Sequence, residues 1–197
     1  MALLTYVVAR DYGFAPNPFH GCCTLATCKP IIRRVAQPGD WIVGTGSASR
    51  KRAGRLVYAM RVAEALSFDQ YWADPRFRAK RPNLHGSKKH AFGDNIYFRQ
   101  PAGWRQENSH HSLPDGSPNK ANVANDTQTD RVLVATDFVY WGGEGPAIPP
   151  TLKHIVCPGR GHRRISDGKT VDAFVLWLRS NVGQGYQGEP LDWKRTP

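Results

Sequence analysis

Dense apolar and β-branched runs occupy residues 3–9, 41–43, 56–62, 95–98 and 132–141, each bounded by glycine, proline or polar clusters. Runs of this length and composition predict β-strands. A short strand is also expected at 24–28. The strand at 39–47 enters through a Gly39-Asp40 turn and leaves through Gly44-Thr45-Gly46-Ser47, and the next, 56–66, closes on Val62-Ala63-Glu64. Helical signals are fewer. Pro30 followed by Ile31, Ile32 and Val35 on one side predicts a short helix that stops before Pro38. An aromatic-rich helix is expected at 68–77. Val171, Phe174, Val175 and Leu178 recur at helical spacing, with Asp172 in the first turn, Arg179 in the last and Gly183 beyond. Several short strands with a few packing helices define an α+β chain.

Two segments break the pattern. Residues 11–21 hold two prolines and two glycines, which exclude regular structure. Residues 101–131 carry Asn108, His110, His111, Asn119, Asn122, Asn125 and Asp126 with almost no apolar periodicity, so a long polar loop is expected there, either mobile or ordered by function. The 197 residues fit one domain spanning 1–197, with a C-terminal helix and tail at about 171–197.

Charge sharpens the picture because it is localised. The chain carries 27 Lys and Arg against 16 Asp and Glu, and residues 29–99 alone hold 15 basic and 5 acidic residues, a net +10 of the total +11. Tyr71, Trp72, Phe77, His85, His90 and Phe92 interleave with these cations. Cations beside stackable rings suit a phosphodiester backbone with unpaired bases, so the expected partner is a nucleic acid or a nucleotide; a solvated basic face is the alternative. No run of about 18 apolar residues exists, so no membrane partner is expected. The N-terminus lacks a basic region ahead of its apolar run and reads as a first strand, which points to a cytoplasmic protein. Nothing in the pattern specifies an oligomeric state.

Cys22, Cys23 and Cys28 cluster while Cys157 lies far away, and no second cysteine pair completes a zinc set. His20 and Cys22 could join Cys28 and a distant histidine, but reduced thiols beside a strand are the expected case, with no metal and no cofactor. The turn-rich run 157–164 has the glycines but not the Lys-Ser/Thr ending of a P-loop.

Candidate functional residues fall into three sets. For a base, Trp41 and Tyr58 alternate with core-facing neighbours and either stack on the ligand or fill the core, while Tyr140 and Trp141 close a strand beside glycine. Thr45 and Ser47 offer hydroxyls to a base edge, and Asn17 sits with Asp11 in the first loop, aimed at a ligand or capping a local turn. For phosphate, Arg50, Lys51, Arg52 and Arg55 form one group, Lys88 and Lys89 another. For chemistry, Asp11, Cys28 and His110, with His111 beside it, are the acid, base or nucleophile candidates. No nucleophile and base stand in a recognised spacing, which favours recognition over catalysis.

The motifs Tyr6-Val-Val-Ala-Arg-Asp11-x-Gly13-Phe14-Ala15-Pro16-Asn17-Pro18-Phe19, Cys23-Thr24-Leu25-Ala26-Thr27-Cys28-Lys29-Pro30 and Gly39-Asp40-Trp41-Ile42-x-Gly44-Thr45-Gly46-Ser47 resemble the nucleotide modification associated domain 2 family over most of the chain. The resemblance implies association with systems that install, or respond to, modified bases in phage and bacterial DNA. The stretch 40–72 is also similar, on pattern more than identities, to the EVE and ASCH branches of the PUA-like fold. That similarity implies a PUA-like mixed β pseudo-barrel with a base-sized aromatic pocket. The resulting expectation is a module that recognises a modified base; the alternatives are an enzyme that modifies or hydrolyses a base or nucleotide, and a basic interaction protein without a pocket.

Overall fold

A computed structural model of the chain describes residues 1–181 and 183–195. Its strands are β1 (Leu3–Val8), β2 (Cys23–Leu25), β3 (Trp41–Gly46), β4 (Leu56–Arg61), β5 (Glu64–Leu66), β6 (Tyr97–Gln100), β7 (Gly103–Gln106), β8 (Val132–Ala135), β9 (Asp137–Tyr140), β10 (His162–Ile165) and β11 (Gly185–Tyr186). Its α-helices are α1 (Pro30–Val35), α2 (Phe68–Ala73), α3 (Lys88–Ala91), α4 (Lys120–Asp126) and α5 (Gly168–Asn181). They form two compact units interleaved in sequence: residues 1–12, 36–63 and 135–197 in the first, 13–35 and 64–134 in the second. None of the described helices is long and apolar enough to cross a membrane.

The first unit is built on a mixed sheet in the order β10-β1-β3-β4-β9-β11. β1 and β3 run parallel with Leu3 opposite Trp41, whereas β4 is antiparallel to both β3 and β9. One face packs Trp41, Val43, Leu56 and Ala59 against Val171, Phe174 and Leu178 of α5, at the spacing the sequence predicts. α5 starts before the apolar pattern because Asp167 accepts hydrogen bonds from the Thr170 amide and hydroxyl, at 3.0 and 2.7 Å.

The expected pseudo-barrel does not close. At one edge β10 presents the exposed Arg163 and Arg164; at the other β11 is only two residues long. A charged edge and a very short edge both disfavour further pairing, so the sheet stays open.

The second unit holds the three-stranded sheet β2-β8-β5 and the hairpin β6–β7. α2 begins with a capping box between Ser67 and Gln70, and its Phe68 lies edge-on to Tyr97 and Trp104 of the hairpin, ring centroids 5.3 and 5.5 Å apart. Two apolar runs that read as single strands are divided between the units. Residues 56–66 split into β4 and β5, and 132–141 split at the exposed Thr136 into β8 and β9. The segment expected as a long loop contains β7 and α4, the latter capped by the Asn119 side chain, which accepts from the amides of Ala121 and Asn122.

Candidate active site

Cys28 sits on a bend that ordinary side chains avoid. Between β2 and α1, both Cys28 (φ 56°) and Lys29 (φ 42°) adopt the left-handed conformation, after which Pro30 starts the helix. Each such residue costs about 1 kcal/mol or more and persists only where its surroundings enforce the geometry. Arg33, one turn along α1, enforces it. Its side chain is fully buried. Nε donates to the Cys28 carbonyl (2.9 Å), Nη1 to the carbonyls of Thr129 (2.9 Å) and Arg131 (2.7 Å), and Nη2 to that of Asp126 (2.5 Å). Burial draws the guanidinium pKa down, against the opposing pull of Asp126.

The clamp brings together residues nearly a hundred positions apart. Cys28 Sγ lies 3.7 Å from His111 Nε2, and His111 Nδ1 donates to Asp126 Oδ2 at 2.9 Å. The Tyr97 hydroxyl donates to the same carboxylate oxygen at 3.0 Å, while Oδ1 accepts the Cys28 amide at 2.8 Å. The His111 carbonyl is held by Asn122 Nδ2 at 2.8 Å and Gln106 Nε2 at 3.4 Å, so ring and backbone are both anchored. Burial pulls the imidazole pKa down. The hydrogen bond to Asp126 and the neighbouring Cys28 outweigh it, leaving His111 pushed up to about 9. Burial likewise pushes the Asp126 carboxyl up, and its bonds to His111, Cys28 and Tyr97 carry it below the usual carboxylate value.

These opposite shifts link the pair to stability. His111, raised from 6.5 to about 9, stabilises the fold fully below pH 6.5 and loses that contribution as pH rises through 9. Asp126, lowered from 3.8, contributes above that value and loses its contribution as pH falls through the folded one. The upper limb is worth at most roughly 3 kcal/mol. Urea unfolding is therefore expected to show stability falling from pH 7 to pH 10, with the fall removed in His111→Gln; an equal slope in that variant would contradict the linkage.

Aromatic rings crowd the imidazole. Phe14 packs on His111 (centroids 4.6 Å apart) and on His110 (5.4 Å), and Phe92 meets His110 at 5.1 Å. The loop carrying Phe14 is tied down by a buried polar network. Lys80 Nζ donates to the Asn17 carbonyl (3.0 Å), Asn17 Oδ1 (2.8 Å) and the Cys22 carbonyl (3.0 Å). Asp94 accepts from Thr24 and Tyr71, both at 2.7 Å; burial raises its pKa, against the opposing pull of Lys80.

The sequence-derived candidates divide accordingly. Cys28 belongs to this site, but its partner is His111; His110 is exposed one residue away and makes ring contacts. Asn17 is a fully buried structural residue whose Nδ2 donates to the Phe92 carbonyl at 2.9 Å, so it presents nothing to a base. In the first unit, Trp41 is a core side chain against Phe174, and Tyr58 is buried with its hydroxyl 2.9 Å from that of Tyr6. Tyr140 is buried and donates to Asp11, whose backbone amide in turn donates to Asp192 at 2.7 Å. Stacking on any of these three rings would require the core to open. Trp141 is half-buried against that same core.

The glycines of the 44–47 motif admit the chain itself rather than a ligand. A Cβ at Gly44 would lie 2.4 Å from the Tyr58 ring, and one at Gly46 2.5 Å from Arg52 Cβ. Thr45 is buried with its hydroxyl 3.4 Å from the Tyr6 carbonyl, and Ser47 caps the short turn that follows. Arg50, Arg52 and Arg55 do converge, lining one narrow cleft with Ser47, Asp11 and Asp192. There Arg50 pairs with Asp192 at 2.8 Å and Arg55 donates to the Gly145 carbonyl at 2.9 Å. Lys51, Lys88 and Lys89 are exposed. Among the described residues no group of three or more His, Cys, Asp or Glu side chains could hold a metal ion.

A thiol on a strand-to-helix bend, an imidazole beside it and a buried carboxylate behind the imidazole thus stand in line on a mixed α/β framework. The chain belongs to the nucleotide modification associated domain 2 family, whose profile matches residues 1–197. No curated protein and no solved structure matches it significantly.

Proposed function

We propose that the protein is a thiol-dependent enzyme of nucleotide modification, with Cys28 as nucleophile, His111 as acid and base, and Asp126 as the group that orients His111. The hydrogen-bonded line Cys28–His111–Asp126, closed within one unit, carries this reading. The thiolate attacks an electrophilic carbon, of acyl type, on a base or on a group being attached to one. A carbon–sulfur bond forms as the bond to the leaving group breaks, and the His111 imidazolium supplies the proton the leaving atom needs. Water or an amine then gives its proton to His111 Nε2 as it attacks the same carbon. Cys28 departs as thiolate, and the imidazolium is restored.

Incubation with nucleotides and with modified and unmodified DNA, followed by mass spectrometry of substrate and intact protein, tests the proposal. An adduct or turnover dependent on Cys28 and lost in Cys28→Ser is expected. No mass change on any substrate would overturn it.

A second reading, recognition of a nucleotide or modified base without chemistry, is favoured by the convergence of Arg50, Arg52 and Arg55 with Ser47 on one cleft. Mutually orienting side chains at Cys28 have no part in that reading, which is why it stands second. A link to DNA modification in phage and bacteria, and kinship with EVE and ASCH domains, rest on the sequence likenesses at 6–47 and 40–72.

A further inference from the structure

Resting on the thiol reading, we infer that the substrate of Cys28 is carried by its phosphate, and that the exposed ridge Lys88, Lys89 and His90 on α3 holds that phosphate. Residues 75–93 contain six Lys and Arg and no Asp or Glu. Of the six, Arg76 pairs with Glu64 and Asp74, Lys80 is buried in the Asn17 network, and Arg81 lies 3.8 Å over the Trp72 ring. Lys88, Lys89 and His90 stand exposed, and Ser87 Oγ, 2.9 Å from His90 Nδ1, fixes the histidine ring.

The ridge connects to the thiol through rings in contact. Phe92 directly follows α3 and meets His110 at 5.1 Å, and His110 shares with His111 the packing of Phe14. Asn17 pins the Phe92 carbonyl, so the end of α3 is fixed relative to the loop over His111. Cations, then flat rings, then a nucleophile form the order in which a nucleotide presents phosphate, base and modification site. Rings tolerate any base, while the cations recognise the phosphate shared by nucleic acid and free nucleotide.

The test follows alkylation of Cys28 by iodoacetamide with and without a deoxynucleoside monophosphate or a short single-stranded oligodeoxynucleotide. Either probe is expected to slow alkylation several-fold at low salt. Protection should fade as salt rises and disappear in the double variant Lys88→Glu, Lys89→Glu, each protein's rate with probe being compared with its own rate without. Protection by the monophosphate identifies a free nucleotide; protection by the oligonucleotide alone identifies nucleic acid. No protection by either, or protection that survives the double variant, overturns the inference. Fluorescence anisotropy with the same oligonucleotide does not depend on the thiol, and binding is expected to weaken roughly tenfold or more in the double variant. A Cys28 that resists alkylation while this weakening occurs overturns the thiol reading and leaves the ridge in place. Binding lost instead in Arg50→Glu moves the phosphate to the first unit and overturns the ridge.

Discussion

Iodoacetamide at neutral pH is expected to label Cys28 and to leave Cys22, Cys23 and Cys157 unmodified in the native protein. Cys22, Cys23 and Cys157 are buried, at 8%, 0% and 4% exposure, and burial pushes the Cys22 and Cys23 thiols up, away from the reactive thiolate form. Cys28 is partly exposed and faces an imidazole that Asp126 keeps protonated well above neutrality. His111 Nε2 lies 3.7 Å from the sulfur, within reach to exchange a proton with it during reaction. His111→Ala should therefore slow labelling at pH 7 by about tenfold or more, whereas His110→Ala should leave it nearly unchanged. Asp126→Asn should fall between wild type and His111→Ala, because the amide can still orient the ring but cannot hold its charge. Peptide mapping of the labelled protein reads all three variants. Uniform labelling of the four cysteines, or equal rates in the two histidine variants, would remove the basis for a nucleophile at Cys28.

Loss of Arg33 is expected to be the most damaging single change in the second unit. One guanidinium donates to four carbonyls, in buried bonds to Thr129 and Asp126 and partly buried ones to Cys28 and Arg131, and its removal takes all four bonds away. At about 1–3 kcal/mol for each unsatisfied buried group, partly relieved by relaxation, Arg33→Met should cost about 3–5 kcal/mol. Arg33→Lys retains the charge but not the planar fork, so it reaches fewer carbonyls and should recover only part of that loss. Urea unfolding followed by circular dichroism measures the stability. Cys28 labelling under native conditions reports separately on the bend, because freeing the Cys28 carbonyl removes the restraint that holds the left-handed geometry. An Arg33→Met protein as stable and as reactive as wild type would show that the clamp does not support the site.

Much of the local structure is legible in the chain. Periodicity locates β1, β3, β4 and β9, the start of α1 is marked by Pro30, and the buried face of α5 by Val171, Phe174 and Leu178. Local signals mislead where one apolar run serves two sheets, at 56–66 and 132–141, since a strand's pattern records that it is buried and not which neighbours bury it. They also mislead at 44–47. A glycine that admits a ligand and one that admits Tyr58 or Arg52 look identical in sequence.

Cys28 and His111 are visible as reactive residue types, but Arg33 and Asp126 are not. The sequence marks α1 through Pro30, Ile31, Ile32 and Val35 without singling out Arg33, and only its burial and its bonds to the carbonyls of Asp126, Thr129 and Arg131 reveal a clamp. The signal is a buried arginine five residues after a left-handed cysteine, and burial is not written in a six-residue helix.

The sequence alone located β1, β3, α1 and α5, the concentration of positive charge at 29–99 and the resemblance to the family, because periodicity, composition and motif are properties of neighbouring residues. The tertiary structure decided which of the conspicuous residues meet. It withdrew Trp41, Tyr58 and Tyr140 into the core and set Cys28, His111 and Asp126 in line across a separation of 98 residues. The order of residues along the chain does not specify that alignment; it depends on how β2, α1 and α4 pack and on the buried guanidinium that ties their carbonyls together.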